Sequence, residues 1–509
     1  MGADPGSDGG QDSARGDTDD ATDTGRPRFV PGWAVRARRS THERTTRPAR
    51  VNQRARTPQP LLRSRLPSGR GAMEQPNVTH EGEARLTPLF GVALVAAAVL
   101  TGLFGGALMF LLYTVEHLAF GFNSGTFEDG AEHATVLRRF VSLAIAGVVG
   151  GVGWYLLRRY VKGASEVDEA VWAGDGTLSF SRSLGTAVLS EIVVGMGASL
   201  GREAAPKLMG AACGSVLAGW VRLSTAQKRL LVACAGGAGL AAVYNVPLGG
   251  ALFTAEVLIG SMSLPVVLPA LGCSWLATLV AWAYLPAIPT YPNIPAYGFT
   301  GSEMTWSLIT GPLIGLLAVG FIRMIGWVSH HRPTGRKALT APLGAFLILG
   351  VAGTWFPQLF GNGKGIARGA FLGHTGLTLL VVLCVLKPLV TTLCLGSGAS
   401  GGLFTPVMSF GAALGAALGL GWSLIWPGTP GGAYAMIGAA AMIGAAMQAP
   451  LSAVALVLEL THSGFEIMVP MIAATMLATA VARHIDGYSI YSARLAAKPH
   501  QAARIDGLA

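Results

Sequence analysis

Two short stretches of this sequence combine backbone freedom with a helix start inside apolar surroundings. Gly201-Arg202-Glu203-Ala204-Ala205-Pro206 and Gly401-Gly402-Leu403-Phe404-Thr405-Pro406 share their first glycine and their proline at an offset of 200 residues. A glycine-rich break followed by proline marks a chain entering a helix, because proline is well tolerated in the first turn. The N–H groups and positive dipole end at such a start favour an anion. Two such breaks facing one another would build an anion site from backbone donors, without a full positive charge. Kinked helices packed through small residues would use the same glycines. The pair in register favours the site.

Glu203 adds a titratable group to that site. A carboxylate in so apolar a stretch is costly, and such residues are usually kept for function. Ionised, it would compete with the anion; protonated, it would release the site. The apolar setting disfavours the charged form. The alternative is an interfacial glutamate paired with the adjacent Arg202.

The elements that must position these residues are apolar helices. Of the 509 residues, 51% are hydrophobic and 13% charged, and 70 are glycine. The charged fraction is about half, and the glycine share about twice, that of a soluble domain. No Asp, Glu, Lys or Arg occurs from Pro388 to Leu458 or from Val257 to Ser302, runs of 71 and 46 residues. A bilayer crossing takes about 20 apolar residues, so each run has room for two or more. The chain therefore reads as an all-α polytopic membrane protein set in a lipid bilayer, and an ordinary soluble enzyme is excluded. The glycines follow no Gly-X-Y period, which excludes collagen.

Apolar segments lie near 89–114, 140–157, 183–200, 206–221, 230–256, 264–286, 304–322, 338–356, 370–386, 388–395, 404–426, 432–461 and 465–482. Several are too short to span or are broken by Gly and Pro. Interrupted helices at membrane depth are tolerated where they are buried in protein or line a cavity, which points to a transport path. Two further matches follow the first. Gly210-Ala-Ala-Cys-Gly214 matches Gly411-Ala-Ala-Leu-Gly415 at an offset of 201, and Pro247-Leu248 with Glu256 matches Pro450-Leu451 with Glu459 at 203. Two halves, about 86–262 and 304–483, with breaks at corresponding places point to a midplane binding site. The spacing suits parallel and inverted halves alike.

Residues 1–85 are polar and aperiodic, with 15 Arg, no Lys and 11 Asp or Glu. Blocks of like charge such as these are usually solvated and disordered; the other reading places the start of the protein at Met73. The transmembrane domain is expected over 86–495, with a short tail over 496–509. The formal net charge of +10 invites a nucleic-acid reading. The basic residues outside the tail cluster beside apolar segments, however, as at Arg158-Arg159, which suits loop orientation and anionic lipid instead. No nucleic-acid partner is expected. Cys213, Cys234, Cys273, Cys384 and Cys394 sit in apolar stretches without metal-ligand spacing, and no metal or cofactor is expected.

The motifs together resemble the CLC family of chloride channels and proton-coupled chloride exchangers, over about Leu86 to Arg494. GREAAP at 201–206 resembles the family's GREGP signature, and GSGASGGLFTP at 396–406 its GxFxP signature. NVPLGGALFTAEV at 245–257 and QAPLSAVALVLELT at 448–461 look like the helices that follow each signature, and IYSARL at 490–495 like the segment with the anion-coordinating tyrosine. The resemblance implies two inverted helical repeats with interrupted and re-entrant helices, and a homodimer with one anion pathway per subunit. Glu203 would be the gating glutamate. The N–H groups of Leu403 and Phe404 and the hydroxyl of Tyr491 would bind the anion, at a site that also includes Gly201 and Arg202. Tyr488 competes for the tyrosine role, although the sequence around Tyr491 fits better. Glu256 and Glu459 match acids kept on buried helix ends, and are read as structural or dimer-side groups.

Two departures bear on function. Where the family has a coordinating serine in GSGIP, matching Gly163 and Glu166 puts Lys162 at the serine position. There it would hold the anion or pair with Glu203; alternatively it belongs to the Arg158-Arg159 surface cluster, with Ser165 merely local. Many exchangers carry an internal proton-transfer glutamate at the place held here by Val257, next to Glu256. This chain thus leans toward a channel that conducts chloride or another small anion under voltage or pH gating, with the proton-coupled antiporter as the alternative. The sequence lacks P-loop, HExxH and GxSxG motifs, so a transporter or channel is expected rather than an enzyme.

Overall fold

The computed structural model describes residues 86–495. The expectations for the Arg-rich segment, for the start at Met73 and for the tail over 496–509 lie outside the described residues.

The first half contains α1 (Pro88–Phe120), α2 (Phe127–His133), α3 (Val136–Tyr160), α4 (Val167–Trp172), α5 (Phe180–Gly195), α6 (Ala204–Trp220), α7 (Thr225–Tyr244), α8 (Pro247–Phe253) and α9 (Leu264–Ala281). The second contains α10 (Gly301–His330), α11 (Lys337–Trp355), α12 (Lys364–Phe371), α13 (Leu377–Gly396), α14 (Phe404–Trp422), α15 (Gly431–Met447), α16 (Pro450–Thr461) and α17 (Met468–Ile485). Eight helices among the described residues are long and apolar enough to cross a membrane, so this is a multi-pass integral membrane protein. Shorter apolar helices such as Gly431–Met447 and Pro450–Thr461 are the interrupted elements.

Two apolar runs that look continuous in sequence are each divided in the structure. The run 230–256 breaks where Asn245 takes a left-handed φ of 57°, and 432–461 breaks where Gln448 takes one of 59°. In both, a proline starts the next helix two residues later, where its missing N–H leaves no intrahelical bond unmade. Conversely, 370–386 and 388–395 join as parts of one helix, α13, with Pro388 inside it.

Glycine sets the helix spacing within each half. A Cβ on Gly210 would run into the Ala235 carbonyl on α7, and one on Gly411 into the Gly438 carbonyl and Ala439 on α15. Bare glycine faces let backbones approach closely where no hydrophobic force separates protein from lipid. The matched glycines of the two halves therefore pack the same pair of helices, α6 on α7 and α14 on α15.

The halves are inverted and interlocked. Gly201 and Gly402 form an isolated antiparallel bridge, each N–H donating to the other's carbonyl at 2.8 and 2.7 Å. The two acids shared by the repeat make a reciprocal exchange. Glu459 accepts from the N–H groups of Leu248 and Gly249 at the start of α8, at 3.0 and 2.5 Å. Glu256 accepts from Leu451 and Ser452 at the start of α16, at 3.2 and 2.7 Å. Each carboxylate satisfies N–H groups that a helix start leaves without intrahelical partners, and the structural reading of both residues rests on this geometry.

Candidate functional site: a carboxylate seated on a helix start

Glu203 is the last residue before α6, and its side chain crosses to the other half. Its Oε1 accepts the Phe404 N–H at 2.7 Å, at the first residue of α14. Oε2 accepts from the Tyr244 hydroxyl at 3.2 Å and from the Thr405 hydroxyl at 3.3 Å. Tyr244 and Thr405 are themselves hydrogen bonded at 2.7 Å. The side chain is buried, with a relative exposure of 5% for the residue. A carboxylate thus occupies the place that a helix start offers to an anion, with Oε1 on the Phe404 N–H.

Glycine at 201 and 402 makes that seat possible. A Cβ on either residue would collide with the Glu203 carboxylate. Gly201 is therefore brought to the site as space rather than as a donor, because its N–H is committed to the Gly402 carbonyl. On the approach to the second break, Gly398 takes a left-handed φ of 96°, which glycine adopts without steric cost. Its carbonyl accepts from the Arg158 guanidinium at 3.3 Å.

A cavity of about 50 Å³ opens beside Glu203, enough for a few water-sized particles. Leu403, Phe404 and Tyr491 line it, as the sequence leads one to expect, and Ser165, Asp168 and Lys207 join them. The Tyr491 ring is set edge-on to Phe253 at 6.0 Å between centroids; Tyr488 is not among the lining residues.

Two sequence-derived site residues lie elsewhere. Lys162 is exposed and does not line the cavity, whereas Ser165 does. The short connection after α3 turns at Gly163, which has a φ of 110°, and leaves the lysine on the outside. Arg202 faces away from this cavity. Its guanidinium lies 5.0 Å from the Tyr244 ring centroid and donates to the Tyr113 hydroxyl at 3.2 Å. It lines a separate cavity of about 170 Å³ with Glu116 and Lys364. Adjacent residues Arg202 and Glu203 thus serve different spaces.

Three residues at the site and one behind it, Lys387, escaped the sequence argument. Lys207 and Lys387 are cations in apolar runs, and the rule that singled out Glu203 applies to both. Lys387 is fully buried on α13; its ammonium donates to the Ser199 hydroxyl and the Gly361 carbonyl at 2.8 Å and to the Leu359 carbonyl at 3.2 Å. Tyr244 and Asp168 carried no signal beyond their polarity. Among the described residues, no group of three or more His, Cys, Asp or Glu is placed to hold a metal ion.

Residues 146–483 match the family described as Voltage gated chloride channel. The chain belongs to the CLC family. One CLC relative, the putative chloride channel protein ClcB-like of Ralstonia nicotianae, is 32% identical over 348 residues, covering 66% of this chain and 80% of the relative. The H(+)/Cl(-) exchange transporter ClcA of Vibrio campbellii is 27% identical over 428 residues, covering 79% and 88%. Among solved CLC structures, a slow cyanobacterial Cl-/H+ antiporter superposes with a TM-score of 0.70 at 22% identity, over 80% of this chain and 97% of that one. A CLC-type fluoride/proton antiporter gives 0.65 at 20%, over 81% and 99%. These last two establish the fold.

Proposed function

We propose that this protein is a proton-coupled chloride antiporter gated by Glu203. The observation that carries the reading is the Glu203 carboxylate on the Phe404 N–H at 2.7 Å, beside a cavity lined by Tyr491. An ionised Glu203 and a bound anion compete for the same donors, so the anion enters when the carboxylate leaves. Protonation removes its charge and weakens its hold on the N–H, since charge-assisted bonds are about twice as strong as neutral ones. One group thereby carries the proton and gates the anion. Support for exchange comes from relatives named H(+)/Cl(-) exchange transporters. The reading extends to a homodimer with a separate pathway in each subunit, as the family resemblance implies.

Val257, buried on the π-helical turn Thr254–Ile259 after α8, favours a second reading, passive conduction, because no acid stands at the place after Glu256. Flux from chloride-loaded liposomes separates the two. Under exchange, a chloride gradient drives protons uphill; under conduction, chloride moves and protons do not. No chloride flux from folded protein would overturn both.

A further inference from the structure

The cavity beside Glu203 contains a fixed cation that the anion-binding motifs do not account for. Lys207 lies in the first turn of α6, four residues after Glu203 and so on the same face of the chain. Its ammonium lies 3.3 and 3.4 Å from the two Asp168 oxygens and 4.7 Å from the centroid of the Tyr491 ring. All four residues line the same cavity. We propose that Lys207 is an affinity-determining residue for the transported anion, with Asp168 as the carboxylate that the anion partly displaces. This rests on the transport reading above.

Three observations support it. First, the repeat does not need a cation here: at the offset of 200 that relates the two motifs, the second half carries Val407, fully buried in the first turn of α14. Second, the pair is loose. Contacts of 3.3 and 3.4 Å are longer than the usual charge-assisted bond of about 2.8 Å, so exchanging part of the carboxylate for an anion loses little. An ammonium has three donors, and the carboxylate does not exhaust them. Third, both cations assigned to the site from sequence lie outside the cavity: Lys162 is exposed, and Arg202 lines a separate one. Other charged groups facing the cavity are Glu203, and Glu166 with Arg494, which are 3.8 Å apart. Glu203 and Asp168 are then two carboxylates in one cavity that compete with the anion, Glu203 for the Phe404 N–H and Asp168 for the Lys207 ammonium.

Calorimetric titration of chloride into detergent-solubilised protein tests this, with liposome flux alongside. Lys207→Met keeps the length and removes the charge; chloride affinity should fall at least about tenfold, as for loss of a charge-assisted bond. Asp168→Asn removes the competitor and leaves the ammonium; affinity should rise several-fold. A pair that is only structural moves both variants in the same direction or neither. Unchanged affinity in folded Lys207→Met overturns the proposal, as does a fall in Asp168→Asn. If Lys207→Met does not fold, Asp168→Asn decides alone, by a rise or by its absence. Wild type that neither binds nor moves chloride overturns the transport reading and this inference with it, whereas wild-type flux with affinities unmoved in both variants overturns the inference only.

Discussion

The Glu203 carboxylate and the Phe404 N–H, 201 positions apart in sequence, meet at 2.7 Å. One comes from the break before α6 and the other from the break before α14, so each half-repeat supplies one partner. The antiparallel Gly201–Gly402 bridge holds those breaks in register, and the contact is therefore a product of the repeat rather than of local chain geometry.

Tyr244 grips the oxygen of Glu203 that does not face Phe404. Its hydroxyl donates to Oε2 at 3.2 Å, while the seat an anion would take is that of Oε1. In Tyr244→Phe the carboxylate should leave more readily, and apparent chloride affinity should rise roughly two- to tenfold, matching the worth of one hydrogen bond. Chloride titration at fixed pH reads this. An affinity loss would assign the hydroxyl to the anion instead.

Lys387 fastens the residues behind the first break. Its ammonium joins the Ser199 hydroxyl to the carbonyls of Leu359 and Gly361, and Gly361 in turn donates to the Gly197 carbonyl at 3.0 Å. Lys387→Met leaves buried acceptors unpaired, which should cost about 3 kcal/mol. Thermal unfolding in detergent should show a clear drop in melting temperature, with anion selectivity retained in the folded fraction. An unchanged melting temperature would remove the fastening role.

Glu256 and Glu459 exchange caps between the halves. Loss of either carboxylate to alanine should cost about 1–2 kcal/mol, as for other helix caps, and glutamine should recover part of that because it keeps an acceptor. Thermal unfolding gives the stability ranking, and proton flux gives the control. Loss of proton coupling in Glu256→Gln at unchanged stability would make Glu256 a proton carrier rather than a cap.

Much of this was legible in the residues. The paired Gly/Pro breaks, the matched glycines and the matched acids are features that a repeat must preserve, so they appear at constant offset. Glu203 stands out because the body of the chain has so few acids. Other features were hidden for physical reasons. Asn245 and Gln448 break helices by a left-handed backbone turn, which leaves no gap in the apolar pattern. Pro388 looks like a breaker yet continues a helix. Lys162 fits the serine position by count, but the turn at Gly163 points the chain elsewhere, and the cations lining the cavity are Lys207 and Arg494. Tyr244 reaches Glu203 only because α7 folds back against the second break, a long-range contact that no local pattern encodes.

In the proposed mechanism one carboxylate, that of Glu203, both occupies the anion seat and carries the proton. Its most direct test is proton movement driven by a chloride gradient in liposomes, wild type against Glu203→Ala. Uphill proton movement at a fixed proton-to-chloride ratio is expected in wild type, and chloride flux without proton movement in the variant. Proton coupling that survives in Glu203→Ala would contradict it.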